Sequence, residues 1–167
     1  MKIFFVSHCL LNSAAVVRQG GQKTALKQRF LENTLRLGIQ LIQLPCPEFA
    51  LYGHLRWGHT KEQFLTPAFM RQCKKIASYA AQQAAEYQRF PEQFDILGFV
   101  GMDGSPTCGV SVTCSGFSGG EFLPDTSLPK AEKVQGRGVL SDILAEMLPI
   151  PLYSLEQAVE LLESGRF

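Results

Sequence analysis

Short apolar runs alternate with longer amphipathic segments along the chain, and this alternation constrains the fold more than any other feature. The runs at residues 2–6 and 94–100 have the pattern of strands covered on both faces of a parallel sheet. Residues 39–44 alternate apolar and polar side chains, and residues 150–154 form a further short run. Strands that alternate with helices imply right-handed βαβ crossovers. We therefore predict a three-layer α/β/α sandwich, Rossmann-like, with a mainly parallel sheet.

The segments between these runs show helical spacing and signals of helix ends. Residues 23–37 place leucines and a phenylalanine close to helical spacing. The segment rich in Ala, Gln and Lys that follows Thr66 and Pro67 predicts the longest helix, because Thr caps helix N-termini and Pro is tolerated in the first turn. Two further helices are predicted at residues 138–148 and 155–164, the second with Ser154 as its N-cap.

Two stretches have no sustained period and are predicted to be loops. Residues 7–21 follow the first strand, and residues 109–136 are dense in Gly, Ser and Pro. A loop as long as the second either covers a site as a lid or is disordered. Since no repeat or linker interrupts the pattern, we expect one domain over residues 1–167.

The composition narrows the class of protein. The 167 residues are 46% hydrophobic and 19% charged, with a formal net charge of +1, so we expect a globular protein that binds neither a nucleic acid polymer nor a membrane. The apolar N-terminal run is too short to cross a bilayer and has no small-residue cleavage site. The five cysteines are an odd number spread along the chain, which argues against a disulfide framework. We therefore expect thiols or metal ligands in a reducing cytoplasm.

Three of the cysteines occupy equivalent places, each in the loop after a predicted strand. Cys9, Cys46 and Cys108 follow the first, second and third strands. Ligands bind beyond the carboxyl ends of parallel strands, so these thiols converge if the strands are neighbours. Three thiolates with an open position suit an iron–sulfur cluster with one exchangeable iron, or a zinc ion whose fourth ligand is water or His. The competing interpretation is that each cysteine is a small buried hydrophobe.

The loops that hold these cysteines resemble the three signatures of a known family. "SHCLLN", "PCPE" and "GSPTCG" are similar, in this order, to motifs of the thiouracil desulfidase (TudS-like) family, formerly a domain of unknown function. The resemblance extends from Ser7 to Gly109 and indicates a divergent branch. It implies that Cys9, Cys46 and Cys108 bind a [4Fe-4S] cluster in which one iron has no protein ligand. It also implies an enzyme that removes sulfur from a small thiolated heterocycle such as 2-thiouracil.

The same resemblance implies roles for two further residues of these motifs. Glu48 of "PCPE" is expected to be the acid–base residue, and Ser105 of "GSPTCG" a partner in the substrate site. The residue types suit these roles, because a carboxylate takes a proton from water and a hydroxyl donates a hydrogen bond to a base. The alternatives are a surface carboxylate for Glu48 and, for Ser105, a turn residue that bonds to its own backbone.

Other residues near the motifs have less definite roles. His8 could be a ligand, a donor beside one, or a solvent-facing side chain. Arg18 is expected to be solvated or to pair with an anion, Cys73 to pack, and Cys114 to be a spectator or, less expected, a sulfur acceptor. The stretch "YGHLRWGH" could stack on a planar base as readily as form a structural cluster. Its polar and aromatic members include His54, Arg56, Trp57 and His59.

Two functional hypotheses from different classes follow from these residues. The first is a [4Fe-4S]-dependent desulfidase that cleaves a C–S bond in a small-molecule thiolated substrate. The second is a non-enzymatic protein that binds zinc or carries sulfide through three cysteines, with Glu48 and Ser105 structural. The metal and acid-labile sulfide content of the protein distinguishes them.

Overall fold

Strands and helices alternate in a computed structural model that describes residues 1–17, 23–117, 119 and 131–167. The described strands are β1 (Lys2–Ser7), β2 (Gln40–Leu44), β3 (Asp95–Gly101), β4 (Val112–Ser115), β5 (Glu132–Gln135) and β6 (Leu152–Ser154). The described α-helices are α1 (His8–Leu11), α2 (Thr24–Arg36), α3 (Pro47–Tyr52), α4 (Lys61–Phe64), α5 (Pro67–Gln88), α6 (Val139–Met147) and α7 (Leu155–Ser164).

A four-stranded parallel sheet with the order β2-β1-β3-β6 lies at the centre of the fold. In the inner strand β1, the side chains of Phe4, Phe5 and Val6 are fully buried, so both faces of the strand are covered. Helix α2 packs with α7, and α5 packs with α6, which forms the two outer layers. The predicted three-layer α/β/α sandwich is therefore confirmed.

The core links the layers through large apolar side chains. The ring of Phe4 lies 6.0 Å from that of Phe30 in α2 and 6.3 Å from that of Tyr153 in β6. Burying an aromatic or aliphatic side chain of this kind contributes about 1.5–3 kcal/mol. The strand ends beside these side chains are thus anchored in a packed interior, which gives the loops that follow them a fixed starting point.

The predicted helix ends agree with the structure. The Thr66 hydroxyl accepts a hydrogen bond from the Phe69 N–H at 3.3 Å, and Pro67 occupies the first helical position of α5. Helix α7 begins with a capping box, in which Ser154 and Gln157 each accept from the other's backbone N–H. These ends were predictable because each depends on residues within one helical turn.

The prediction of a loop over residues 7–21 was wrong where the structure describes it. Helix α1 begins directly after β1, and a 3-10 turn follows at Ser13–Ala15. The turn back toward the sheet buries Leu10, and the side chain of Asn12 accepts a hydrogen bond from the Ala14 N–H at 3.1 Å. Burial and a local side-chain bond thus stabilise helical turns that are too short to show a period. Arg18 lies outside the described residues.

The prediction of a continuous loop over residues 109–136 was also wrong in part. Strands β4 and β5 pair antiparallel, with Val112 opposite Gln135 and Ser115 opposite Glu132. Each strand has only four residues, so its alternation is too short to recognise in the sequence, and the pairing joins segments far apart in the chain. Residues 118 and 120–130, where a lid was considered, lie outside the described residues.

A membrane-spanning helix was not expected from the composition. Within the described parts of the chain, no helix has both the length and the apolar character that a bilayer crossing requires.

Candidate functional site

Three cysteines meet at the carboxyl edge of the parallel sheet. Cys9 lies in α1 after β1, Cys46 caps α3 after β2, and Cys108 follows β3. Because β1 lies between β2 and β3, these strand ends are neighbours, as the prediction required. The Cys9 and Cys108 side chains are hydrogen-bonded to each other, and Cys46 is close enough to act on both through its charge.

The three thiols line one cavity of about 460 Å³. Its walls include side chains from all three cysteine-bearing loops and from the β4–β5 hairpin. The volume is within the range of small-molecule sites. Polar and thiol groups that face it include Cys9, Cys46, Glu48, Ser105, Cys108 and Cys114.

Burial and mutual contact give the three thiols different acidities. Burial raises the pKa of Cys46 to about 11. The contact with Cys9, and then burial, raise the pKa of Cys108 well above its usual range. The pKa of Cys9 is lowered, chiefly because Cys108 is hydrogen-bonded to its sulfur and also because the charge of Lys27 favours the thiolate.

A compact turn places Cys108 and Ser105 side by side. The Ser105 hydroxyl oxygen accepts hydrogen bonds from the Cys108 N–H at 3.1 Å and the Thr107 N–H at 3.2 Å. This is the backbone bonding that the alternative interpretation of Ser105 described, and it leaves the serine on the cavity wall. A Cβ at Gly109 would lie 2.3 Å from the carbonyl oxygen of Val112, so only glycine fits after the cysteine.

The N-terminus of helix α6 is hydrogen-bonded to this turn. The backbone N–H groups of Val139 and Leu140 donate to the carbonyl oxygens of Pro106 and Thr107 at 3.0 and 2.8 Å. A Cβ at Gly138 would lie 2.4 Å from the Thr107 carbonyl carbon, so this close approach also requires glycine. The first turn of α6 thus satisfies its free N–H groups with the loop that carries Cys108.

Glu48 is held at the cavity by two other side chains. It is only 7% exposed, so it is not the surface carboxylate of the alternative interpretation. Its Oε1 accepts a hydrogen bond from the Thr107 hydroxyl at 2.5 Å, and its Oε2 accepts one from Arg56 Nε at 3.3 Å. Arg56 is also buried and donates to the carbonyl oxygens of Ala15 and Gly53. This arrangement fixes the direction of the carboxylate.

Sequence reasoning missed Thr107 and Lys27. Thr107 lies inside "GSPTCG" but was not singled out. Lys27 is only 4% exposed, and its Nζ donates to the Cys9 carbonyl oxygen at 2.7 Å. A signal was present, because Lys27 shares the buried face of α2 with Phe30 and Thr34 at helical spacing.

The structure divides the residues of "YGHLRWGH". Arg56 and His59 line the cavity, whereas His54 is exposed and Trp57 is 81% exposed. The His59 ring packs on Phe64 with centroids 4.9 Å apart. Neither His54 nor Trp57 is brought to the cavity walls.

Of the remaining candidate residues, some line the cavity and one is packed in the core. His8 lines the cavity and stacks on Phe49, with ring centroids 6.4 Å apart. Cys73 is fully buried in α5, in agreement with a packing role. Cys114 lies in β4 and lines the same cavity. Pairing with β5 carries this residue back over the sheet edge.

The donor set has the chemistry of a metal–sulfur site. Thiols are soft ligands that bind zinc and iron–sulfur clusters, and three of them surround one cavity. The Ser7 hydroxyl, also on the cavity wall, is buried beside the Cys9 sulfur. Among the described residues, no three side chains of His, Cys, Asp or Glu are arranged to hold a metal ion. By their chemistry, the three thiols still fit a metal–sulfur group.

The fold and cavity define an α/β protein with a thiol-lined pocket at the carboxyl edge of a parallel sheet. The chain matches the sequence model of the family described as "Putative 2-thiouracil desulfurase" over residues 1–126. The chain belongs to this family, which confirms the resemblance of its three motifs.

The chain is also similar to an archaeal protein. An uncharacterized protein of Methanocaldococcus jannaschii is 31% identical over 109 residues, which cover 65% of this chain and 68% of that protein. No solved structure matches the chain.

Proposed function

We propose that this protein is a desulfidase that removes sulfur from a small thiolated heterocycle such as 2-thiouracil, with a [4Fe-4S] cluster bound by Cys9, Cys46 and Cys108. The family to which the chain belongs supports the desulfurase activity. The observation that carries the proposal is the meeting of three strand-end thiols and a buried carboxylate around one cavity.

A cluster and a zinc ion bind thiolates in different ways. A tetrahedral zinc ion binds its sulfur ligands at one centre, with Zn–S bonds of about 2.3 Å. A cluster binds each thiolate through a different iron. The resemblance of the three cysteine motifs is what favours the cluster over zinc. When bound, the open iron of the cluster would supply a Lewis acid for the soft sulfur of a thiocarbonyl.

Glu48 is suited to move the protons of the reaction. Each of its oxygens accepts one hydrogen bond, from Thr107 or from Arg56, which leaves lone pairs for a water in the cavity. Glu48 takes a proton from that water as the water oxygen bonds to the thiocarbonyl carbon. It returns the proton to the departing sulfur when the C–S bond breaks. Water and the thiocarbonyl are converted to the carbonyl product and hydrogen sulfide, so no oxidant or reductant is consumed.

Ser105 is suited to orient the substrate. Its oxygen accepts bonds from two backbone N–H groups and lies 3.4 Å from the Cys108 sulfur, so its O–H proton is shared between that sulfur and an acceptor in the cavity. 2-Thiouracil offers such an acceptor at its exocyclic oxygen, whereas its ring N–H groups are donors. Ser105 thereby holds the heterocycle at a fixed distance from Cys108 and Glu48.

The proposal also has a consequence for the cellular compartment of the protein. Three ligand thiols and an open iron require a reducing compartment such as the cytoplasm, because oxidants attack both. The assignment of residues 1–167 to one domain stays a prediction.

The test begins with protein purified and reconstituted without oxygen. We expect iron and acid-labile sulfide in equal amounts, a brown colour, and release of sulfide together with uracil from 2-thiouracil. The Cys114→Ala variant is the matched control, because it removes a cavity thiol that the proposal does not use. Colourless protein that takes up zinc but no iron would support the carrier hypothesis and overturn this one.

A further inference from the structure

Two buried basic side chains lie beside the cavity, and their surroundings differ. Arg56 forms an ion pair with Glu48, with Arg56 Nε 3.3 Å from Glu48 Oε2. Lys27 is only 4% exposed, and in the described parts of the chain it forms no ion pair with a carboxylate. A buried ammonium is costly unless an anion compensates it. The surroundings of Lys27 therefore require a source of negative charge.

The hydrogen bonds of Lys27 indicate where that charge lies. Its Nζ donates to the Cys9 carbonyl oxygen at 2.7 Å and to the Ser13 hydroxyl at 3.1 Å. Both acceptors are neutral and belong to the segment that begins with α1. The Cys9 sulfur is close enough for the Lys27 charge to act on it. The Cys9 thiol is thus a group within reach of the Lys27 charge that can itself become negative.

A second buried group points in the same direction. The Ser7 hydroxyl is 3% exposed, lines the cavity and lies next to the Cys9 sulfur, whose thiolate it favours as a hydrogen-bond donor. Ser7 and Lys27 thus both favour negative charge at Cys9, one as a neutral donor and the other as a charge.

We propose that Lys27 is a positioning residue that acts through the Cys9 segment and compensates the negative charge of the bound iron–sulfur cluster and its three thiolates. The inference rests on the proposed function, because it requires the cluster. The Lys27 ammonium holds the backbone of Cys9 in place and lowers the free energy of the anionic centre. Removal of this charge is expected to weaken cluster retention and to shift the cluster's midpoint potential to more negative values.

The experiment compares four reconstituted proteins. Lys27→Gln keeps a hydrogen-bond donor but removes the charge, Lys27→Met removes both, and Lys27→Arg keeps the charge. Arg29→Met is the matched control, because it removes one positive charge from the exposed side of the same helix, where Arg29 pairs with Glu163. The measurements are iron retained under a chelator and the midpoint potential from an anaerobic redox titration.

We expect both neutral variants to lose iron about 10-fold faster or more, the usual size of effects from groups behind metal ligands, with midpoint potentials more negative than wild type. Lys27→Arg is expected to restore most of both properties, and Arg29→Met to match wild type. If Lys27→Met does not fold, the iron retention and midpoint potential of Lys27→Gln alone test the inference. Wild-type potential and retention in a folded neutral variant would overturn this inference and leave the proposed function intact. Wild-type protein that takes up no iron and sulfide would overturn both.

Discussion

Two walls of the cavity are built in different ways. The cysteine wall consists of Cys9, Cys46 and Cys108, and each thiol is positioned by the strand end that precedes it. The carboxylate wall consists of Glu48, Arg56 and Thr107, and its members are held by side-chain bonds to one another.

Because of this difference, substitutions in the cysteine wall are expected to affect function, whereas those in the carboxylate wall are expected to affect both function and stability. Loss of one thiol removes a proposed ligand, and the hydrogen bonds between backbone groups of its loop remain. Loss of one member of the carboxylate wall leaves a buried charge or polar group without its partner, which costs stability as well as function. Substitutions in the two walls therefore have different signatures.

The largest expected effect is the replacement of a thiol in the cysteine wall. Cys46→Ala removes a proposed ligand, so we expect loss of cluster iron and of sulfide release to background, measured by metal analysis and a sulfide assay. The fold should persist, because the lost contact is the hydrogen bond from the Phe49 N–H at 3.4 Å, a helix cap of about 1 kcal/mol. Full iron content and activity in Cys46→Ala would exclude it as a ligand.

The next effect concerns proton transfer in the carboxylate wall. Glu48→Gln keeps the size of the side chain but removes the base, so we expect kcat to fall by about 10²–10⁴-fold while the cluster is retained. Steady-state sulfide release and the visible spectrum measure the two properties. Glu62→Gln, at an exposed carboxylate outside the cavity, is the control. Unchanged kcat in Glu48→Gln would remove Glu48 from the mechanism.

Loss of the partner cation tests whether the carboxylate wall carries stability. Arg56→Met leaves Glu48 as a buried charge without compensation, so we expect a decrease in unfolding free energy of about 3–5 kcal/mol, measured by denaturant titration. The double variant Arg56→Met with Glu48→Gln should recover part of this loss, because it removes both charges. Additive losses in the double variant would show that the two residues are not coupled.

The smallest effect distinguishes a buried carboxylate from an exposed one. Glu62 accepts hydrogen bonds from the Ser115 hydroxyl and the Gly116 N–H, which join α4 to the end of β4. The Ser115 bond lowers the pKa of Glu62 from 4.5 to about 2. Because the folded pKa is depressed, this contact stabilises the protein above pH 4.5 and is lost as the pH falls toward 2.

Hydrogen exchange of the β4 amides measures this contact. Between pH 5 and 2.5, we expect wild-type protection to fall toward that of Glu62→Gln, which should already be lower at pH 5. Solvent screens an exposed carboxylate, so the difference should be much smaller than that for Arg56→Met. Equal protection in the two proteins at pH 5 would show that Glu62 does not hold the hairpin.

The parts of the fold that depend on local pattern were predicted from the sequence. The strand at Lys2–Ser7 and the helix at Pro67–Gln88 follow from apolar periodicity and from caps within one turn. The helical turns after Ser7 and the hairpin of β4 and β5 were missed. They are four residues long or shorter, and the hairpin depends on pairing between distant segments.

The sequence by itself determined the family, the layered fold and the three cysteines, because each lies in a short motif at the end of a recognisable strand. Only the tertiary structure decided which side chains surround them. Thr107 reaches Glu48 across 59 positions of the chain, and Lys27 reaches the carbonyl oxygen of Cys9 across 18. No local periodicity encodes such contacts, because they depend on how the helices pack against the sheet.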